Sequence, residues 1–217
     1  MPFLNKIASS PIVANSWKLT YYKEQIYKIR QQLLSEQSGF CAYTEDFIAH
    51  NSADQELEHF NKDLKKTVAD GYYNWYVSSR WVNSPKQKGE KLVPDVIKNS
   101  SRSLADIAAD IDCDEYGFFA KNDNAETQEL INFLCLDSSE LSEKIRQQIC
   151  FLDFLKFEKE VAVEPTLFQF PEKFLNYISA VACYLQIPDL KQRWQLEYPN
   201  WKNKNPQAVS DTNNNNE

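Results

Sequence analysis

The chain has 217 residues, 42% of them hydrophobic, which supports a sizeable packed core and is too apolar for a disordered protein. Its formal charge of −7 argues against gripping nucleic acid by charge alone, because phosphate binding relies on clustered Lys and Arg. No run approaches the roughly 18 consecutive apolar residues of a membrane span, and MPFLNKIASSPIVANSW lacks the apolar stretch of a secretion signal.

The five cysteines (Cys41, Cys113, Cys135, Cys150 and Cys183) are scattered and form no CxxC pair, a pattern of reduced thiols. A cytoplasmic protein without membrane contact is the expectation.

In chain order, residues 17–36 predict a helix, with Tyr22, Ile26, Ile29 and Leu33 on one face. Ser38-Gly39 is its stop signal. Strand-like runs follow at 40–43, 56–60 and 73–78, and Ser79 is placed to cap a short helix, although Ser84-Pro85 sits awkwardly in it. Residues 101–111 and 124–135 have helical spacing, with DCDEYGFFAKND between them as a hairpin or loop. Residues 138–160 and 170–186 predict two further helices, the second opened by Pro171. SDTNNNNE ends a polar, disordered tail. The expected fold class is α+β, mostly helical, divided as an N-terminal helical segment 1–39, a compact unit 40–95, a helical region 96–202 and a tail 203–217.

Only two histidines occur, and one, His59, lies in QELEHFNKD. After a carboxylate it can be a surface pair, a satisfied core residue, a metal ligand or a general base; alone, the structural roles are the commoner ones. Two asparagines follow in suggestive settings, Asn74 in GYYNWYV and Asn83 in SSRWVNSPKQKG. His, Asn and Asn on a strand, a strand-edge loop and a helix suit metal-assisted phosphodiester hydrolysis. A neutral imidazole takes a proton from water, while a divalent cation on hard oxygen ligands polarises the phosphoryl group. Glu58 and Asn83 are suitable hard ligands. Alternation along a strand sends Glu58 and His59 to opposite faces, so convergence on one point requires the strand to end, twist or bulge there.

The order CAYTE (41–45), ELEHF (56–60), YYNWY (72–76) and VNSPKQKG (82–89) resembles the HNH endonucleases with a ββα-metal core. More closely it is similar to the Septu-type and retron-associated HNH nucleases of bacterial anti-phage defence, over roughly residues 20–150. The resemblance implies a small ββα-metal core surrounded by helices, with His59 as general base and Glu58 and Asn83 as ligands of Mg2+ or Mn2+. Asn74 would orient the loop and the imidazole through backbone hydrogen bonds, and Lys86 or Lys88 would contact phosphate. It further implies a DNA substrate and an ATPase partner protein. Many such relatives carry a zinc on two CxxC pairs; here these positions read Cys41-Ala-Tyr-Thr44 and Ser79-Arg-Trp-Val82, so no structural zinc is expected. Trp75, Trp81, Tyr43 and Val82 are expected to stabilise that knuckle by packing. Asn61 and Lys62 stand where a proline usually follows EHF. The lost cysteines also motivate a second reading, a degenerate HNH fold kept as a nucleic-acid-binding or assembly module.

Overall fold

The structure, a computed structural model, describes residues 4, 6–19, 23–82, 91–159 and 167–206. The opening helix α1 (Pro11–Ala14) is capped by the Ser10 hydroxyl, and Trp17 N–H closes it on the Ile12 carbonyl at 2.9 Å. This explains why the helix expected from residue 17 does not begin there: Ser16, at φ +50°, and Trp17 finish the preceding turn. Helix α2 spans Lys23–Glu36 and buries Ile29, Leu33 and Leu34; Tyr22 lies outside the described residues. Its stop is as the sequence predicts. Gly39 turns left-handed at φ +87° and donates to the Leu34 carbonyl, and a Cβ there would stand 2.6 Å from the Phe47 ring.

Residues 40–43 form no strand. Phe40 makes a single bridge to Phe47, and Cys41 N–H bonds back to the Asp46 carbonyl at 2.8 Å, so the chain curls into a knuckle. Strands β1 (Gln55–His59) and β2 (Trp75–Ser79) then pair antiparallel, with Leu57 opposite Val77 and His59 opposite Trp75. Ser79 ends β2 instead of capping a helix, and its carbonyl accepts from Val82 N–H. Ser84 and Pro85 lie outside the described residues.

Buried Gln37, just past α2, behaves like a stretch of backbone. Its amide nitrogen donates to the Phe40 and Val77 carbonyls at 2.8 and 2.7 Å, and its oxygen accepts from Val77 N–H at 2.9 Å. One side chain thereby ties helix, knuckle and β2 together.

Helices α3 (Asp95–Lys98) and α4 (Leu104–Ala109) follow, the second opened by a reciprocal Ser103–Asp106 capping box. The expected hairpin forms as β3 (Ile111–Asp114) and β4 (Gly117–Ala120). Helices α5 (Ala125–Leu134) and α6 (Ser139–Lys159) match their sequence patterns. The single helix expected over 170–186 is broken into α7 (Pro171–Phe174) and α8 (Ile178–Leu185). Asn176 accepts from Phe47 N–H, and Tyr177, at φ +58°, donates its N–H to the Glu45 carbonyl. Bonds to the knuckle override the local helical pattern.

Helix α9 (Leu190–Lys204) carries the chain through Asn203 and Lys204, two residues into the expected tail; residues 207–217 lie outside the described residues. Its Trp194 and Trp201 rings meet Phe47 at 5.6 and 5.0 Å, and Trp194 donates to the Ser38 carbonyl. The fold class is α+β and mostly helical, with two small antiparallel sheets and one hydrophobic core shared by residues of the N-terminal, central and C-terminal segments. No helix among the described residues is long and apolar enough to cross a membrane.

Replacing Gln37 by Leu orphans the buried Val77 N–H and removes two further bonds. A loss of about 2–4 kcal/mol is expected in chemical denaturation, with the helical far-UV signal retained.

Candidate active site

Two of the candidates, His59 and Asn74, meet at the end of the β1–β2 hairpin that the connecting loop closes. His59 is the last residue of β1, only 7% exposed, and its Nε2 lies 3.1 Å from Asp70 Oδ2. Asp70 is a junction. Its Oδ1 accepts from Asn74 Nδ2 at 3.1 Å and from the Trp75 indole at 2.8 Å, and its Oδ2 accepts from Lys66 N–H at 3.3 Å.

Asn74 sits in a single 3-10 turn (Tyr72–Asn74) immediately before β2. Its amide clamps the far side of the loop with both atoms: Oδ1 accepts from Asn61 N–H at 2.7 Å, and Nδ2 donates to the Asn61 carbonyl at 3.0 Å. Asn61 in turn caps the following turn through Asp63 N–H. This gives the residue at 61 a physical role, since a proline there would have no N–H to offer Asn74.

The electrostatics favour a neutral imidazole. Burial pulls His59 below its ordinary value of 6.5, against the charge and hydrogen bond of Asp70; Lys65 pushes the same way as burial. Burial pushes the Asp70 carboxyl up, but the bonds from Asn74 and Trp75 and the nearby His59 outweigh it and hold it below the usual range. With Nε2–H donated to a carboxylate, a neutral His59 keeps its acceptor on Nδ1.

Glu58 is also buried, at 4% exposure, and pairs opposite Tyr76 in an unbroken ladder that continues through Phe60 N–H to the Asn74 carbonyl. No bulge therefore brings Glu58 round to the face of His59. Asn83, Lys86 and Lys88 lie outside the described residues. Among the described residues no three His, Cys, Asp or Glu side chains are grouped to hold a metal.

The two cysteine-pair positions do come together. Cys41 Sγ accepts from Ser79 N–H at 3.3 Å, and Cys41, Thr44, Ser79 and Val82 are all buried. Burial and the Asp46 charge push the Cys41 thiol up, so it stays protonated. With Thr, Ser and Val at the other three positions, this donor set does not suit zinc. Tyr43 and Trp75 fill the core beside it, while half-exposed Trp81 donates its indole N–H to Glu140.

Two contributors escaped the sequence reading. Asp70 precedes Gly71 in an otherwise ordinary polar loop, and only its position four residues before Asn74 hints at a shared turn. Lys6 reaches in from the N-terminal segment, 3.8 Å above the Tyr76 ring and 4.5 Å from that of Tyr72, and donates to the Trp75 carbonyl. Burial pulls its ammonium down to about 7, against the charge of Glu36. Compared with protein-family models, curated proteins and solved structures, the chain matches none.

His59 and Asp70 both bind their protons less readily when folded, so the unfolded chain takes up more protons as pH falls and stability drops. The His59 contribution is intact above 6.5 and lost as pH falls towards its folded value; that of Asp70 is lost below 3.8. Urea midpoints are expected to decline as pH falls below 6.5 in the wild type and to flatten over that range in His59→Asn. In Asp70→Asn the NMR titration of His59 should move lower still, because the charge opposing burial is gone.

Proposed function

We propose that this chain is a divalent-metal-dependent endonuclease of the HNH type acting on DNA, with the β1–β2 hairpin and the segment after it as its ββα core. One observation carries the reading: a histidine at a strand end, held by a carboxylate that is itself fixed by the asparagine clamping the intervening loop. That arrangement delivers a neutral, oriented base, as hydrolysis of a phosphodiester requires. His59 takes the proton from the attacking water on Nδ1, and Asp70 stabilises the imidazolium that forms. Asn74 and Trp75 keep Asp70 charged and aimed. Both are positioning residues.

Glu58 offers a hard oxygen suited to Mg2+ or Mn2+, and Asn83 with the segment around it would complete the ligand set. Glu58 is a single carboxylate that faces away from His59 on a regular strand, so the described residues do not by themselves place a metal beside the imidazole. Lys86 and Lys88 are proposed to contact phosphate. The charge of −7 suits a nuclease whose DNA is captured by a partner, proposed here to be an ATPase in an anti-phage defence system.

A second reading has its own support. His59 and Glu58 are almost wholly buried and lie on opposite faces of a regular strand, as suits a hairpin kept as a binding or assembly module.

The test is DNA cleavage by purified protein with Mg2+ or Mn2+, with and without the candidate ATPase. His59→Ala should lower the rate about 100-fold or more, the usual share of a general base, without changing the circular dichroism spectrum. Asp70→Asn should retain part of the activity. Equal cleavage by wild type and His59→Ala would overturn the mechanism, and DNA retention without cleavage by the wild type would select the module.

A further inference from the structure

A second site lies away from the hairpin, in a cavity of about 640 Å3 between α2 and the C-terminal end of α9. Its size falls within the usual range for small-molecule sites. Two aromatic rings (Trp17 and Tyr27), two lysines (Lys28 and Lys202), the Gln31 amide and Asn203 line it. Both rings are half-buried. The Lys28 ammonium stands 4.1 Å over Trp17, and the Arg30 guanidinium 5.7 Å over Tyr27.

Two features of this cavity are left unsatisfied by the protein. Gln31 has both amide atoms shielded from solvent, and neither has a hydrogen-bond partner among the described residues. Buried polar atoms without partners cost stability, on the order of 1–3 kcal/mol each, and call for an explanation. Lys202 is half-buried and has no carboxylate or carbonyl partner among the described residues; burial pulls its ammonium below the ordinary range. No carboxylate is among the described residues that line the cavity, although acids outnumber bases by 31 to 24 in the whole chain. A pocket this positive in an acidic protein selects an anion. The aromatic walls add a flat apolar surface, and the amide adds one donor and one acceptor in a plane.

We propose that this groove binds a free purine nucleotide. The base stacks on the aromatic wall, the Gln31 amide turns out from its shielded position to pair with the base edge as donor and acceptor, and the phosphates lie on Lys28 and Lys202. An amide is the side chain whose paired donor and acceptor match the adenine edge, and stacking on aromatic rings is favourable for any base. The site is independent of the nuclease reading, because none of His59, Asp70 and Asn74 lines it.

Calorimetric titration of the full chain with AMP, ATP, inorganic phosphate and a short single-stranded oligodeoxyadenylate tests it. Saturable binding of AMP or ATP is expected, with phosphate alone at least about tenfold weaker. Lys202→Gln and Gln31→Leu should each weaken nucleotide binding about tenfold. Gln31→Leu should also leave the apo protein as stable or more so, since it removes an unsatisfied amide; that outcome separates a binding role from a structural one. Absence of saturable mononucleotide binding, equal affinity for phosphate and AMP, binding confined to the oligonucleotide, or unchanged affinity in both variants would overturn the proposal.

Discussion

The Asp70 carboxylate is the constraint on which the hairpin end depends. It receives the imidazole of His59, the amide of Asn74, the indole of Trp75 and the backbone of Lys66. These donors come from the end of one strand, the turn before the next, the next strand itself and the loop between them. Hydrogen bonds to an ionised acceptor are stronger than neutral ones, and within partly buried surroundings they are poorly replaced by water. A long loop joining two short strands has an entropic cost of closure. Asp70 and the Asn61–Asn74 clamp offset it by fixing both flanks of the loop, and the same bonds set the direction of the imidazole.

A second carboxylate organises the knuckle. Glu45, fully buried at the tip of the knuckle, pairs with Lys191 at 3.1 Å and accepts from Ser179 N–H at 2.9 Å. Burial pushes its carboxyl up, but Lys191 and the Ser179 N–H outweigh that and hold it below the ordinary range. The aromatic stripe of α9 seats on Phe47 of the same knuckle. The knuckle is thus held by a charge pair, a protonated thiol accepting a backbone bond, and rings packed edge to face.

The acidic balance of the chain is unevenly spent. Glu45 and Asp70 tie distant segments together, while the groove between α2 and α9 is lined by ammonium groups, rings and an unsatisfied amide. Net charge therefore describes solubility and long-range attraction, and the local arrangement decides which ligand a surface accepts.

By itself the sequence determined most of the local architecture. Alternation marked β1 and β2, Ser38-Gly39 ended α2, and helical spacing located α4, α5 and α6, because these signals act within one or two turns of chain. It also singled out His59 and Asn74, which the fold brings into one hydrogen-bonded group through Asp70. What it could not reveal were the partners that depend on distant contacts. Asp70 and Asn61 read as ordinary polar loop residues, and Lys6 as one lysine of the N-terminal segment. The helix expected over 170–186 breaks because Tyr177 and Asn176 bond to the knuckle, more than a hundred residues earlier. Tertiary structure alone decided these, since a buried hydrogen bond outweighs the few tenths of a kcal/mol per residue that separate one local conformation from another.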